Sequence, residues 1–92
     1  MGDRAVRQVV IVNRRGLHAR ASSAFARAAN GFEAKVIVCH EGQEADGKSV
    51  MDLLILAASK GDVIDIEARG EDAEAAIRTL IDLVANGFGE KD

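Results

Sequence analysis

The residues Gly16-Leu17-His18-Ala19-Arg20-Ala21-Ser22 form the grouping in this chain whose types and spacing best suit chemistry. An imidazole exchanges protons near neutral pH and can act as a nucleophile. An arginine two residues on adds a planar fork of donors matched to phosphate or carboxylate. Leu17, Ala21, Ala24 and Ala28 recur at intervals of three and four with Phe25 beside them, which predicts a helix with an apolar face. The run Val9-Val10-Ile11-Val12 before it reads as a strand that stops at the polar Asn13-Arg14-Arg15. His18 therefore falls at a helix N-terminus. Such an end presents unpaired backbone N–H groups, here those of Ala19 and Arg20, and about half a positive elementary charge. Together these groups can hold a phosphate, or let the histidine carry one. A histidine at a helix start is also a common cap, and spacing alone leaves both readings open.

The chain around this grouping has 92 residues, enough for one domain over 1–92. Only three aromatic residues occur, all phenylalanine, so the core must be built from Val, Ile, Leu and Ala. The single cysteine, Cys39, excludes an internal disulfide framework and suits a reducing cytoplasm. No apolar stretch approaches the length of a membrane span, and Met1-Gly2-Asp3-Arg4 leads straight into a strand rather than a signal peptide. A net charge of −3 argues against general nucleic-acid binding. The arginines 4, 7, 14, 15, 20 and 27 all lie in the first third, so positive charge gathers around His18.

Residues 4–12 read as a first strand, apolar on both faces in its second half and so expected to be central. A helix follows over 19–29, with Asn30-Gly31 as a left-handed cap. A second strand over 32–40 points Phe32, Ala34, Val36 and Val38 to one face. Glu41-Gly42-Gln43 turns into a short strand at 44–46. Ser49-Val50-Met51-Asp52 matches a capping box opening a helix over 50–57. That helix is apolar nearly all round. A small domain cannot bury every side of it, so Val50 and Met51, beside the cap, are expected at the surface, and with Leu54 they make a candidate partner-binding patch. Val63 to Arg69 alternates cleanly as a strand with a wet outer face. The last helix carries Ala73, Ala76, Ile77, Leu80, Ile81 and Val84 on one stripe and ends at Asn86-Gly87, leaving a frayed tail over 88–92. The order βαββαβα predicts an α+β open-faced sandwich, a four-stranded antiparallel sheet with three helices on one face. Composition alone equally allows a ferredoxin-like regulatory domain. His40, between Cys39 and Glu41, reads as a surface residue, because neighbours in a strand face opposite ways and cannot share a metal. No metal or cofactor site is expected.

Gly16-Leu17-His18-Ala19-Arg20, followed some thirty residues later by Gly47-Lys48-Ser49-Val50-Met51, resembles the HPr family, and the likeness runs from Arg7 to about Val84. These are phosphocarriers of the bacterial phosphoenolpyruvate-dependent phosphotransferase system. The resemblance implies that His18 accepts a phosphoryl group from enzyme I, as a pros-phosphohistidine, and passes it to an EIIA-type acceptor. Arg20 would steady the phosphate. Such a protein is a phosphotransfer partner with a covalent intermediate rather than a self-sufficient enzyme, and a monomer by default. In some members the serine matching Ser49 is phosphorylated by a dedicated HPr kinase/phosphorylase, which makes Ser49 a regulatory candidate. Asp52, where a small residue is usual, opposes added negative charge there. Ala21 and Ser22 stand where most of the family has proline and alanine, and Arg14-Arg15 where a small polar cap is usual. The stretch 13–22 resembles a proteobacterial branch associated with regulation rather than sugar transport. Two rival readings stand beside the carrier. One is a non-enzymatic regulatory protein switched by phosphorylation at His18 or Ser49. The other is a sensor in which His18 and Arg20 bind an anion reversibly.

Overall fold

The computed structural model describes residues 3–90. Its elements in order are β1 (Arg4–Val10), α1 (Ala19–Asn30), β2 (Lys35–His40), β3 (Gln43–Asp46), α2 (Val50–Leu56), β4 (Val63–Arg69) and α3 (Ala73–Ala85), closed by a 3-10 turn at Gly87–Gly89. The strands form one antiparallel sheet in the order β1-β4-β2-β3. Ala5, Val36, Val38, Ile64, Ile66 and Ala68 share the face that the helices cover and are buried, because period-two alternation sends every second side chain the same way. From the helices Phe25, Ala29, Leu53, Ile77, Leu80 and Val84 meet them. The opposite face is open, which is the expected open-faced sandwich.

β1 is an edge strand, not a central one. Its second apolar row, Val6 and Val10, lies on the open face at 41% and 45% exposure, and Val10 pairs with the equally bare Val63. In a sheet with one covered side, apolar character on both faces of a strand does not require two covering layers. Gly31 caps α1 with a right-handed backbone rather than a left-handed one. The stripe that α1 buries is centred on Ala21, Ser22, Phe25, Ala26 and Ala29, so Ala24 and Ala28 sit at its margin. Large Phe25, not the alanine repeat, sets which way the helix faces.

The N-cap of α2 is Ser49, whose Oγ accepts from the Asp52 N–H at 3.2 Å. The reciprocal half of the capping box is missing: the Asp52 carboxylate instead accepts from the Asp46 N–H. Asp72 precedes α3 without capping it. Its carboxylate accepts from the backbone N–H groups of Glu33 and Ala34 at 2.9 and 2.8 Å, tying α3 to the approach of β2. These bonds, that from Glu33 foremost, hold its carboxyl below the usual aspartate range.

His40 is buried, which corrects the surface expectation. Its Nδ1 faces the Leu56 carbonyl at 3.2 Å and its Nε2 the Asp62 carboxylate at 3.0 Å. At the end of β2 the ring turns under the α2–β4 connection, a long-range contact that no local pattern encodes. Asp62 also accepts from the Ser59 N–H, and that bond, then His40, lowers its pKa.

Candidate functional site

The loop between β1 and α1 is held from below before it presents any side chain. Gly16 has φ +63°, and a Cβ there would lie 2.3 Å from the Ala58 carbonyl oxygen, so only glycine fits. That close approach lets the Leu17 N–H donate to the same carbonyl at 2.9 Å, fastening the loop to the end of α2. Asn13, 2% exposed, donates from Nδ2 to the Gly16 carbonyl at 2.8 Å and so closes the loop on itself. Ser22 is buried and donates its hydroxyl to the Leu17 carbonyl at 3.1 Å. The first turn of α1 is thus tied down without a proline at Ala21.

His18 is the N-cap of α1, and its Nδ1 accepts from the Arg20 N–H at 3.2 Å. The cap and the chemical candidate are the same side chain. An N–H only donates, so Nδ1 carries a lone pair and the ring proton sits on Nε2. Nε2 in turn meets a Glu90 carboxylate oxygen at 2.5 Å. Of the two backbone donors expected for a phosphate, the Arg20 N–H is therefore already spent on the ring. Arg20 itself is exposed and lines a cleft together with Arg14, Arg15, Ala24, Phe88, Gly89 and Glu90. Of the arginines that the sequence gathers in its first third, Arg14, Arg15 and Arg20 reach this cleft, whereas Arg4 pairs with Glu67 and Arg7 lies against α3.

Glu90 and Asn13 were not singled out in the sequence. The tail at 88–90, expected to fray, folds back over the start of α1 through the turn Gly87–Gly89; positions 91 and 92 lie outside the described residues. Once there, the second Glu90 oxygen accepts from Asn13 Nδ2 at 3.1 Å. Two glycines flanking Phe88 were the available signal, since a phenylalanine so placed has the backbone freedom to turn inward.

On α2, Met51 is 67% exposed as expected, while Val50 and Leu54 are half-buried. Val50 packs against the core because it follows the cap directly and points inward. Ile55, one turn from Met51 and 71% exposed, belongs to the apolar surface and was missed. Ser49 is half-buried and fully accounted for by its cap. No group of three or more His, Cys, Asp or Glu side chains able to hold a metal occurs among the described residues.

A one-layer antiparallel sheet covered by three helices, the first capped by a histidine, defines a small open-faced sandwich domain. The family description "PTS HPr component phosphorylation site" matches residues 5–86. The phosphocarrier protein HPr of Neisseria meningitidis (strain MC58) is 45% identical over 82 residues, 89% of this chain and 92% of that one. The phosphocarrier protein NPr of Proteus mirabilis is 42% identical over 91% of this chain and 94% of its own length. Among solved structures, HPr of Thermoanaerobacter tengcongensis superposes with a TM-score of 0.91 at 34% identity, covering 96% of this chain and 99% of that one. The chain belongs to the HPr family of phosphocarrier proteins of the phosphotransferase system.

Proposed function

We propose that His18 accepts a phosphoryl group at Nδ1 from phosphorylated enzyme I, ultimately from phosphoenolpyruvate, and passes it to an EIIA-type acceptor protein. The observation that carries this reading is the proton-free Nδ1 at the N-terminus of α1 beside an arginine-lined cleft. As the Nδ1–phosphorus bond forms, the donor's bond to phosphorus breaks and its electron pair leaves with the donor. The Arg20 N–H, released from the ring nitrogen, turns to a phosphoryl oxygen, with the Ala19 N–H and the Arg20 guanidinium as further donors. A helix N-terminus stabilises a nearby anion at an exposed site by about 0.3–1 kcal/mol, which suits a group that must be handed on. The partner enzymes dock on the exposed apolar surface of α2 around Met51 and Ile55. The protein works as a cytoplasmic monomer. A regulatory phosphate on Ser49 would stand beside the Asp46 and Asp52 carboxylates, which oppose added negative charge there.

Intact mass after incubation with phosphoenolpyruvate, magnesium and enzyme I tests this. One acid-labile phosphoryl group is expected on the wild type and none on His18→Ala. An unmodified wild type, with enzyme I active on another carrier, would favour a switch that acts by binding.

A further inference from the structure

We propose that Glu90 is a positioning residue for His18: its carboxylate holds the ring proton on Nε2, keeps the Nδ1 lone pair available, and stays with that proton when Nδ1 carries phosphorus. The second half of this inference rests on the carrier reading above; the first does not. A neutral imidazole has one ring proton, and with the Arg20 N–H donating to Nδ1 that proton belongs to Nε2. The Nε2–Glu90 separation of 2.5 Å marks a short, charge-assisted bond between side chains only 20% and 16% exposed. Partial shielding makes such a bond firmer than one in open water.

Glu90 is itself fixed. Its other oxygen takes a proton from Asn13 Nδ2, and the buried Asn13 is anchored to the Gly16 carbonyl. A buried amide therefore aims the carboxylate, and the carboxylate aims the ring. The backbone commits to this arrangement. Gly87, Phe88 and Gly89 all have positive φ, at 61°, 58° and 74°. A phenylalanine in the left-handed region is costly unless the surroundings hold it, and here its side chain packs against the core. Arg14, Arg15 and Arg20 line the same cleft, so the carboxylate is welcome there before any phosphate arrives.

The chemistry balances without another reactant. The Nδ1 lone pair forms the bond to phosphorus, the donor departs with its electron pair, and the Nε2 proton does not move. The ring then bears a positive charge that Glu90 opposes. Delivery to the acceptor reverses this: the nitrogen–phosphorus bond breaks and its electron pair returns to Nδ1 as the lone pair of a neutral ring. A ring protonated on Nε2 is the better leaving group, so the carboxylate favours onward transfer as well as uptake.

The test compares the full chain with Glu90→Ala and Glu90→Gln, all labelled with 15N. The ring nitrogen shifts of His18 at neutral pH are expected to show the Nε2–H form in the wild type and in Glu90→Gln, whose amide oxygen still accepts. Glu90→Ala is expected to show a mixture of both forms. Initial rates of phosphotransfer from enzyme I should fall about tenfold in Glu90→Ala, with Glu90→Gln in between. A wild type with mixed forms, or an alanine variant with unchanged shifts and rate, would overturn the proposal. Faster transfer in Glu90→Ala would also overturn it, marking Glu90 as an anion that merely fills the cleft. If active enzyme I phosphorylates none of the three, the carrier reading fails, while the ring shifts still decide whether Glu90 positions His18.

Discussion

The two histidines of this protein are opposites, although each faces a carboxylate. His40 is 8% exposed, with acceptors opposite both nitrogens, the Leu56 carbonyl and Asp62. Both nitrogens are turned into the fold and engaged there. His18 has an acceptor on one side only, Glu90, and a backbone donor on the other, so one lone pair survives at the protein surface. The two rings differ in what faces the second nitrogen, not in having a carboxylate partner. The first ring is a strut; on the proposed reading the second is a tool.

The contrast can be broken most sharply at His40. His40→Ala removes the buried ring that faces the Leu56 carbonyl and Asp62 and should cost about 1–3 kcal/mol in urea unfolding. Phosphorylation of His18 should still reach one group per chain by intact mass. A folded His40→Ala that no longer takes up phosphate would erase the distinction between strut and tool.

Acid sharpens it further. Asp62 and Asp72 both have pKa values lowered in the folded protein, chiefly by backbone N–H groups from Ser59 and Glu33. Carboxyls lowered by folding contribute stability that is complete above their unfolded pKa and is lost as pH falls through the folded one. The urea midpoint should therefore drop below about pH 4, and less steeply in Asp62→Asn and Asp72→Asn. A variant as acid-sensitive as the wild type would remove that residue from the account.

The smallest effect on stability is expected at Met51. Met51→Asp should change unfolding by no more than about 0.5 kcal/mol, because the side chain is mostly in water. It should nonetheless slow phosphotransfer from enzyme I. Unchanged kinetics would discard the α2 surface as the docking patch.

What was legible in the sequence follows from range. β4 occupies the residues its alternation marked, 63–69, and α1 and α2 start at their expected positions, since a period or a cap is written within a few residues. The strand order, the inward turn of His40 and the arrival of Glu90 beside His18 are contacts across 16 to 72 positions, as His40 with Leu56 and Glu90 with His18 show. Their causes are packing and shape. His18 and Arg20 could be picked out from type and spacing, but the direction of the lone pair required the capping geometry.

The pairing of β1 has a consequence for the order in which the molecule is made. Its sheet partner is β4, with Arg4 opposite Arg69 and Val10 opposite Val63. A growing chain must therefore carry its first strand unpaired until residue 63 and beyond have left the ribosome. The Glu90 carboxylate comes later still. His18 is translated early and its contact with Glu90 can form only last, so a chain that stops short of residue 90 holds the histidine without that contact.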